Sequence, residues 1–191
     1  MPRLVHTLIW QRHEPPGSEY FGLWRDGEGW QLRGTVVLPL DGVPARIRYG
    51  IICDAQWRTQ AVHVALRTGA EEQALHLTAD PAGNWKRGGE PLPVIQGCVD
   101  IDLEITPATN TLPIRRLDLA PGSSADVTAA WLRFPTLDLE PLEQTYQRTG
   151  DTCYRYSSPG FSADLEVGDL GLISRYAGLW ECVGRHRENP R

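Results

Sequence analysis

The stretch Val43–Cys53 alternates with a strict period of two. Val43, Ala45, Ile47, Tyr49, Ile51 and Cys53 fall on one side, and Pro44, Arg46, Arg48 and Gly50 on the other. Successive side chains of a strand point to opposite faces, so this period selects extended chain over helix. The pattern recurs along the sequence. Val62, Val64 and Leu66 alternate with His63, Ala65 and Arg67, and Ile101, Leu103 and Ile105 alternate with Asp100, Asp102 and Glu104. Shorter repeats occur at Leu137/Leu139, Tyr154/Tyr156 and Leu165/Val167. One apolar and one polar face mark an antiparallel sheet covered on one side.

One hairpin can be read with its register. Gly69-Ala70 suits a two-residue turn with glycine first. Pairing outward from it sets Arg67 opposite Glu72, Val64 opposite Leu75, Val62 opposite Leu77 and His63 opposite His76. Apolar meets apolar and opposite charges meet, which a one-residue slip would undo. Asp41-Gly42, Pro81–Asn84 and Lys86–Gly89 look like further turns. A strand and turn every ~8–12 residues gives on the order of fifteen strands. So many strands cannot lie in a flat open sheet, which would curl or close. Helix is expected at most as one turn within Leu170–Trp180, where Gly171 and Gly178 weaken even that.

The fold class is therefore all-β, and 191 residues suit one domain spanning 1–191. The 19 Gly and 15 Pro are dispersed, as turns between short strands require. A net charge of −5 with no Lys/Arg run argues against nucleic acid as a partner. Leu4–Trp10 is too short and too interrupted for an export signal, and no stretch is long and apolar enough to span a membrane. Cys53, Cys98, Cys153 and Cys182 are far apart, so reduced thiols are expected and no disulfide framework or zinc site. The expected location is cytoplasmic.

Thr106–Leu117 carries the densest polar chemistry: Thr-Pro-Ala-Thr-Asn-Thr-Leu-Pro-Ile-Arg-Arg-Leu. It follows an alternating strand, and Pro113–Leu119 reads as the start of another. Strand parity then sets Arg115 on the apolar face with Leu117 and Leu119, and Arg116 on the other face with Ile114 and Asp118. A guanidinium on an apolar face needs a partner. Arg115 either meets the anionic or hydroxylated head of a ligand, or forms an internal ion pair with a nearby carboxylate.

Asp100, Asp102 and Glu104 project from one strand face about 6.5–7 Å apart, which overlaps the spacing of an acid/base pair in glycoside hydrolysis. Their simpler reading is a solvated outer face. His63 and His76 offer two corners of a metal site but no third ligand, so no metal is expected. Seven tryptophans and six tyrosines accompany a single methionine. Trp57, Tyr49, Tyr154 and Tyr156 suit either a core or an amphipathic cavity wall. No nucleophile elbow, phosphate loop, dinucleotide fingerprint or His-Glu-x-x-His is present, so no cofactor is expected.

The Thr106–Leu117 block, with Gly97–Asp102 before it, Tyr154-Arg155-Tyr156 and Gly171–Tyr176, resembles a bacterial family of glycolipid-binding proteins, formerly a domain of unknown function. The resemblance runs from about Gln31 to Val183. Ala108 departs from it, standing where a larger aromatic residue is common. The resemblance implies a long antiparallel sheet wrapped into an incomplete barrel or spiral β-roll, likened to lipoprotein-localisation factors. It implies an amphipathic ligand, a glycolipid or acyl conjugate, held without catalysis against the apolar sheet face. Thr109, Asn110, Arg115 and Arg116 are then the expected contacts of its polar head. Two other functions fit the residues: a glycan- or lipid-ester hydrolase using Asp102 and Glu104, and a protein-interaction module pairing through a sheet edge.

Overall fold

The computed structural model describes residues 1–188. Eight strands form the first part: β1 (Arg3–Arg12), β2 (Gly17–Asp26), β3 (Gly29–Leu40), β4 (Val43–Cys53), β5 (Thr59–Thr68), β6 (Glu71–Ala79), β7 (Trp85–Arg87) and β8 (Glu90–Pro91). Then come β9 (Asp100–Leu103), the helix α1 (Thr111–Leu117), β10 (Ser124–Leu132), β11 (Leu139–Arg148), β12 (Cys153–Ser158), β13 (Phe161–Val167), β14 (Ile173–Tyr176) and β15 (Trp180–Arg187). All fifteen strands lie in one sheet. Its order runs from β8 down to β1, then across to β15 and down again to β9. Neighbours are antiparallel except β9, which runs parallel to β10. The two ends of the sheet, β8 and β9, do not pair with each other, so the roll is not closed into a barrel.

The alternation translates directly into burial. On β4, Ala45, Ile47, Tyr49, Ile51 and Cys53 are buried, while Arg46 and Arg48 are exposed. The β5–β6 hairpin has the expected register, with Arg67 opposite Glu72, His63 opposite His76, Val64 opposite Leu75 and Val62 opposite Leu77. Gly69 supplies the positive φ (57°) that this turn needs at its first central position. Asp41 and Gly42 both have positive φ, the twist-matched arrangement for a two-residue β3–β4 turn.

The hollow of the roll is filled by the protein itself. Every residue from Ile105 to Ile114 is buried, without alternation, as expected of chain covered on all sides. This segment and β9 touch elements all around the sheet. Thr59 Oγ1 of β5 accepts the Ile101 N–H at 3.3 Å, and Trp85 Nε1 of β7 donates to Cys98 O at 2.7 Å. Thr106 reaches Glu19 of β2, Asn110 reaches Tyr146 of β11, and Thr111 donates to Gly171 O before β14. Trp10 and Phe21 pack 4.9 Å apart on the inner face, and the Trp10 indole N–H is satisfied by Ile173 O at 2.7 Å.

Two sequence expectations change here. Pro113–Leu119 is not a strand, because Thr111–Leu117 is helical. Pro113 is tolerated because the first turn of a helix has no partner for that N–H. No amphipathic stripe announces α1 because Thr111–Ile114 are all buried, so there is no solvent face to encode. The helix ends at Asp118, which adopts φ +43° and donates its N–H to Ile114 O. Second, Asp100 and Asp102 do not form a solvated face. Asp100 is 1% exposed and Asp102 half-buried, because α1 and the inner side of the roll cover the polar side of β9 as well as its apolar side. Leu170–Trp180 holds no more than the single turn expected of it, a 3-10 turn at Asp169–Gly171 followed by β14, a turn and the start of β15. The four cysteines are free thiols, with Cys53 and Cys98 in the core.

Candidate functional site

The block from Thr106 to Arg116 uses its polar side chains to bind the interior together. Thr106 Oγ1 donates to Glu19 Oε2 at 2.6 Å, and the Tyr49 hydroxyl donates to Glu19 Oε1. Glu19 is 1% exposed and has no cationic partner among the described residues. Burial therefore pushes its carboxyl up to about 8, against the pull of its two hydrogen bonds. Gly34 makes room for this arrangement, since a Cβ there would overlap the Tyr49 ring and crowd Glu19 Oε1.

A second carboxylate lies on the other side of the block. Asp102 accepts from Thr109 Oγ1 at 3.3 Å and from the Gln144 amide. Burial pushes its carboxyl up to about 6, because these neutral donors only partly replace water. Asn110 Nδ2 donates to the Tyr146 hydroxyl at 2.8 Å, and that hydroxyl donates to Gln144 Oε1 at 3.4 Å. A continuous chain of polar contacts thus runs from the block through Asp102 and Tyr146 to Gln144.

The arginines exchange the roles expected of them. A helix, not a strand, carries them, so parity no longer applies. Arg116 is the one that pairs inward, with a two-pronged ion pair to buried Asp100 (Nε to Oδ1, 3.1 Å). Burial still raises the Asp100 carboxyl, the arginine pulling it the other way. Arg115 lies with its guanidinium 5.6 Å from the Trp57 ring, and its Nε has no hydrogen-bond partner among the described residues. Trp57 in turn stacks on Trp30 at 4.6 Å, presented by a left-handed φ of +66°. Tyr156 packs edge-on against Tyr146 at 5.3 Å, and Arg148 lies over Tyr154 at 5.9 Å.

Of the eight predicted contact residues, Thr109, Asn110, Arg115 and Arg116 lie on the interior segment and α1, Tyr49, Tyr154 and Tyr156 on β4 and β12, and Trp57 in the β4–β5 connection. Glu104 does not join Asp102 there: it is exposed and accepts the Phe134 N–H at 2.8 Å. Neither Asp102 nor Glu104 lines the polar cleft on the surface of the sheet.

That cleft, about 530 Å³, lies where β10, β11 and the β12–β13 turn meet. Asp126, Thr128, Glu143, Gln144, Ser157 and Ser158 supply its polar wall. Gln144 is shared, lining the cleft while its amide holds Asp102 behind it. Phe161, opposite Ser158 in the β12–β13 register, stands 41% exposed beside it and contacts the Tyr156 ring at 6.1 Å.

Sequence reasoning did not find Glu19, Gln144 or the cleft. Glu19 carried a usable signal, because it shares the parity of Phe21 and Leu23, which makes it a carboxylate in an apolar phase. Gln144 shares the parity of Tyr146 in the same way. The cleft carried none, since short polar residues on three strands look like any solvated face.

The family model described as "Putative glycolipid-binding" matches residues 7–182. The chain belongs to that family. It is also similar to the crystal structure of a DUF1089 family protein from Pseudomonas aeruginosa, at 33% identity and a TM-score of 0.80 over 86% of this chain and 91% of that one. A beta-barrel-like protein of the domain of unknown function DUF1849 from Brucella abortus matches at a TM-score of 0.55. It is 11% identical over 99% of this chain and 100% of that one, a likeness of fold alone. No curated protein matches the chain. No helix among the described residues is long and apolar enough to cross a membrane.

Proposed function

We propose that this chain holds a glycolipid-class ligand without transforming it, with the sugar head in the cleft of Asp126, Glu143, Gln144 and Ser158. The observation that carries this reading is the cleft's chemistry. Carboxylate and hydroxyl groups line about 530 Å³ of open space, and the exposed Phe161 is paired with the lining Ser158. Sugar hydroxyls need many donors and acceptors at once, and the apolar face of a pyranose packs on an aromatic ring. The acyl portion would leave the cleft over Phe161. The interior of the roll is not the proposed site, because Ile105–Ile114 already occupy it.

Thr109 and Asn110 serve this site as positioning residues. Through Asp102 and Tyr146 they hold both ends of the buried Gln144 amide and so fix β11 in place behind the cleft. Arg116, by pairing with Asp100, holds α1 and β9 in register behind them.

Titration calorimetry with a monomeric alkyl glycoside tests the reading. Saturable binding is expected, lost in Ser158→Trp, which fills the cleft from the half-exposed end of β12. Mass spectrometry of the recovered glycoside should find it intact. Absence of saturable binding, or undiminished binding by Ser158→Trp, overturns the proposal, and a cleaved glycoside overturns its non-catalytic part.

A further inference from the structure

The outer face of β3–β5 concentrates positive charge on a protein whose net charge is −5. Arg46 and Arg67 are directly opposite each other across the β4–β5 ladder, and Arg48 is two residues further along β4 on the same face. All three are exposed, and none of the ion pairs among the described residues involves them. Like charges placed opposite on a sheet repel. Glu72, opposite Arg67 on its other side, offsets one of the three charges by proximity.

Apolar surface adjoins this charge. Val37 is opposite Arg46 on β3 and is 48% exposed. Tyr20 and Ile9, opposite each other on β2 and β1, continue the same outer face at 59% and 45% exposure. Between Val37, Pro39, Pro44 and the two opposed arginines lies an open dish of about 610 Å³. Its walls are mostly apolar, and Arg46 and Arg67 supply its charge.

We infer that this outer face docks on an anionic lipid bilayer. Arg46, Arg48 and Arg67 would meet headgroup phosphates, while Val37, Tyr20 and Ile9 reach the apolar boundary beneath. Charge complementarity selects the occupant. Unpaired guanidiniums need anions, and the aliphatic and aromatic side chains among them need an apolar phase directly behind those anions, which an anionic membrane surface supplies and a nucleic-acid backbone does not. The inference rests on this face and not on the sugar cleft, which lies on β10–β12.

Co-sedimentation with phosphatidylcholine vesicles, with and without phosphatidylglycerol, tests it. Binding is expected only to the anionic vesicles and should weaken as salt is raised. Arg46→Gln/Arg67→Gln should weaken partitioning about thirty-fold, the equivalent of about 1 kcal/mol per arginine near an anionic surface. Ser158→Trp should leave it unchanged. Equal binding to neutral vesicles, insensitivity of the unmodified protein to salt, or tighter binding to a DNA duplex than to anionic vesicles would each overturn the inference. The salt series needs no variant, so the test stands even if the double substitution unfolds.

Discussion

Replacing Glu19 with glutamine isolates what a lone buried carboxyl does to this fold. In the unfolded chain the group titrates near its ordinary 4.5, and in the folded protein burial raises it to about 8. Between those values the folded state keeps a proton that the unfolded state has lost. A raised folded value means stability that is fully present below pH 4.5 and is lost as pH climbs toward 8. Each pH unit in that window is worth about 1.4 kcal/mol, so roughly 3 kcal/mol present in acid is gone by pH 7. Glutamine mimics the protonated acid. Its carbonyl can accept from the Tyr49 hydroxyl and its amide can donate to Thr106 Oγ1, so the pocket stays satisfied. Urea unfolding across this pH range reads the effect. Glu19→Gln should match the unmodified protein near pH 4.5 and exceed it by about 3 kcal/mol at pH 7. A variant that keeps the original pH slope, or is weaker by the same amount at every pH, would refute the assignment of that slope to Glu19.

Four other substitutions follow from the same interior. Asp102→Asn should remove a smaller part of the slope, between the ordinary 3.8 and about 6, in the same urea series. Arg116→Met strands Asp100 in the core and should lower urea stability by about 3 kcal/mol. Arg115→Met gives up a cation–π contact with Trp57 and should lower it by only about 1 kcal/mol. Gly34→Ala should destabilise by about 2 kcal/mol, measured by thermal melting, because the new methyl displaces the Tyr49 ring.

The sheet was legible because its information is local. Period-two alternation encodes a strand with one buried face, and a glycine turn fixes the register of the hairpin it closes, as at Gly69. The interior segment was not legible for the opposite reason. Chain covered on every side carries no alternation of apolar and polar residues, so α1 looked like strand and its arginines were assigned faces by a parity that did not exist. Asp100 and Asp102 looked solvated because the sequence of β9 cannot register that α1 will lie over its polar side. The Thr106–Arg116 block was correctly singled out as a polar concentration. Its partners Glu19, Tyr146 and Gln144 are 36 to 87 residues away or reached through one of these contacts, beyond any local pattern.

In the proposed binding mode, ligand enters the surface cleft and leaves the filled interior of the roll undisturbed. Amide chemical shifts recorded while a monomeric alkyl glycoside is added test this most directly. Saturable shifts are expected at Gln144, Ser157 and Ser158, with the amides of Ile105–Leu112 unmoved. Shifts centred on Ile105–Leu112, with the cleft silent, would contradict it.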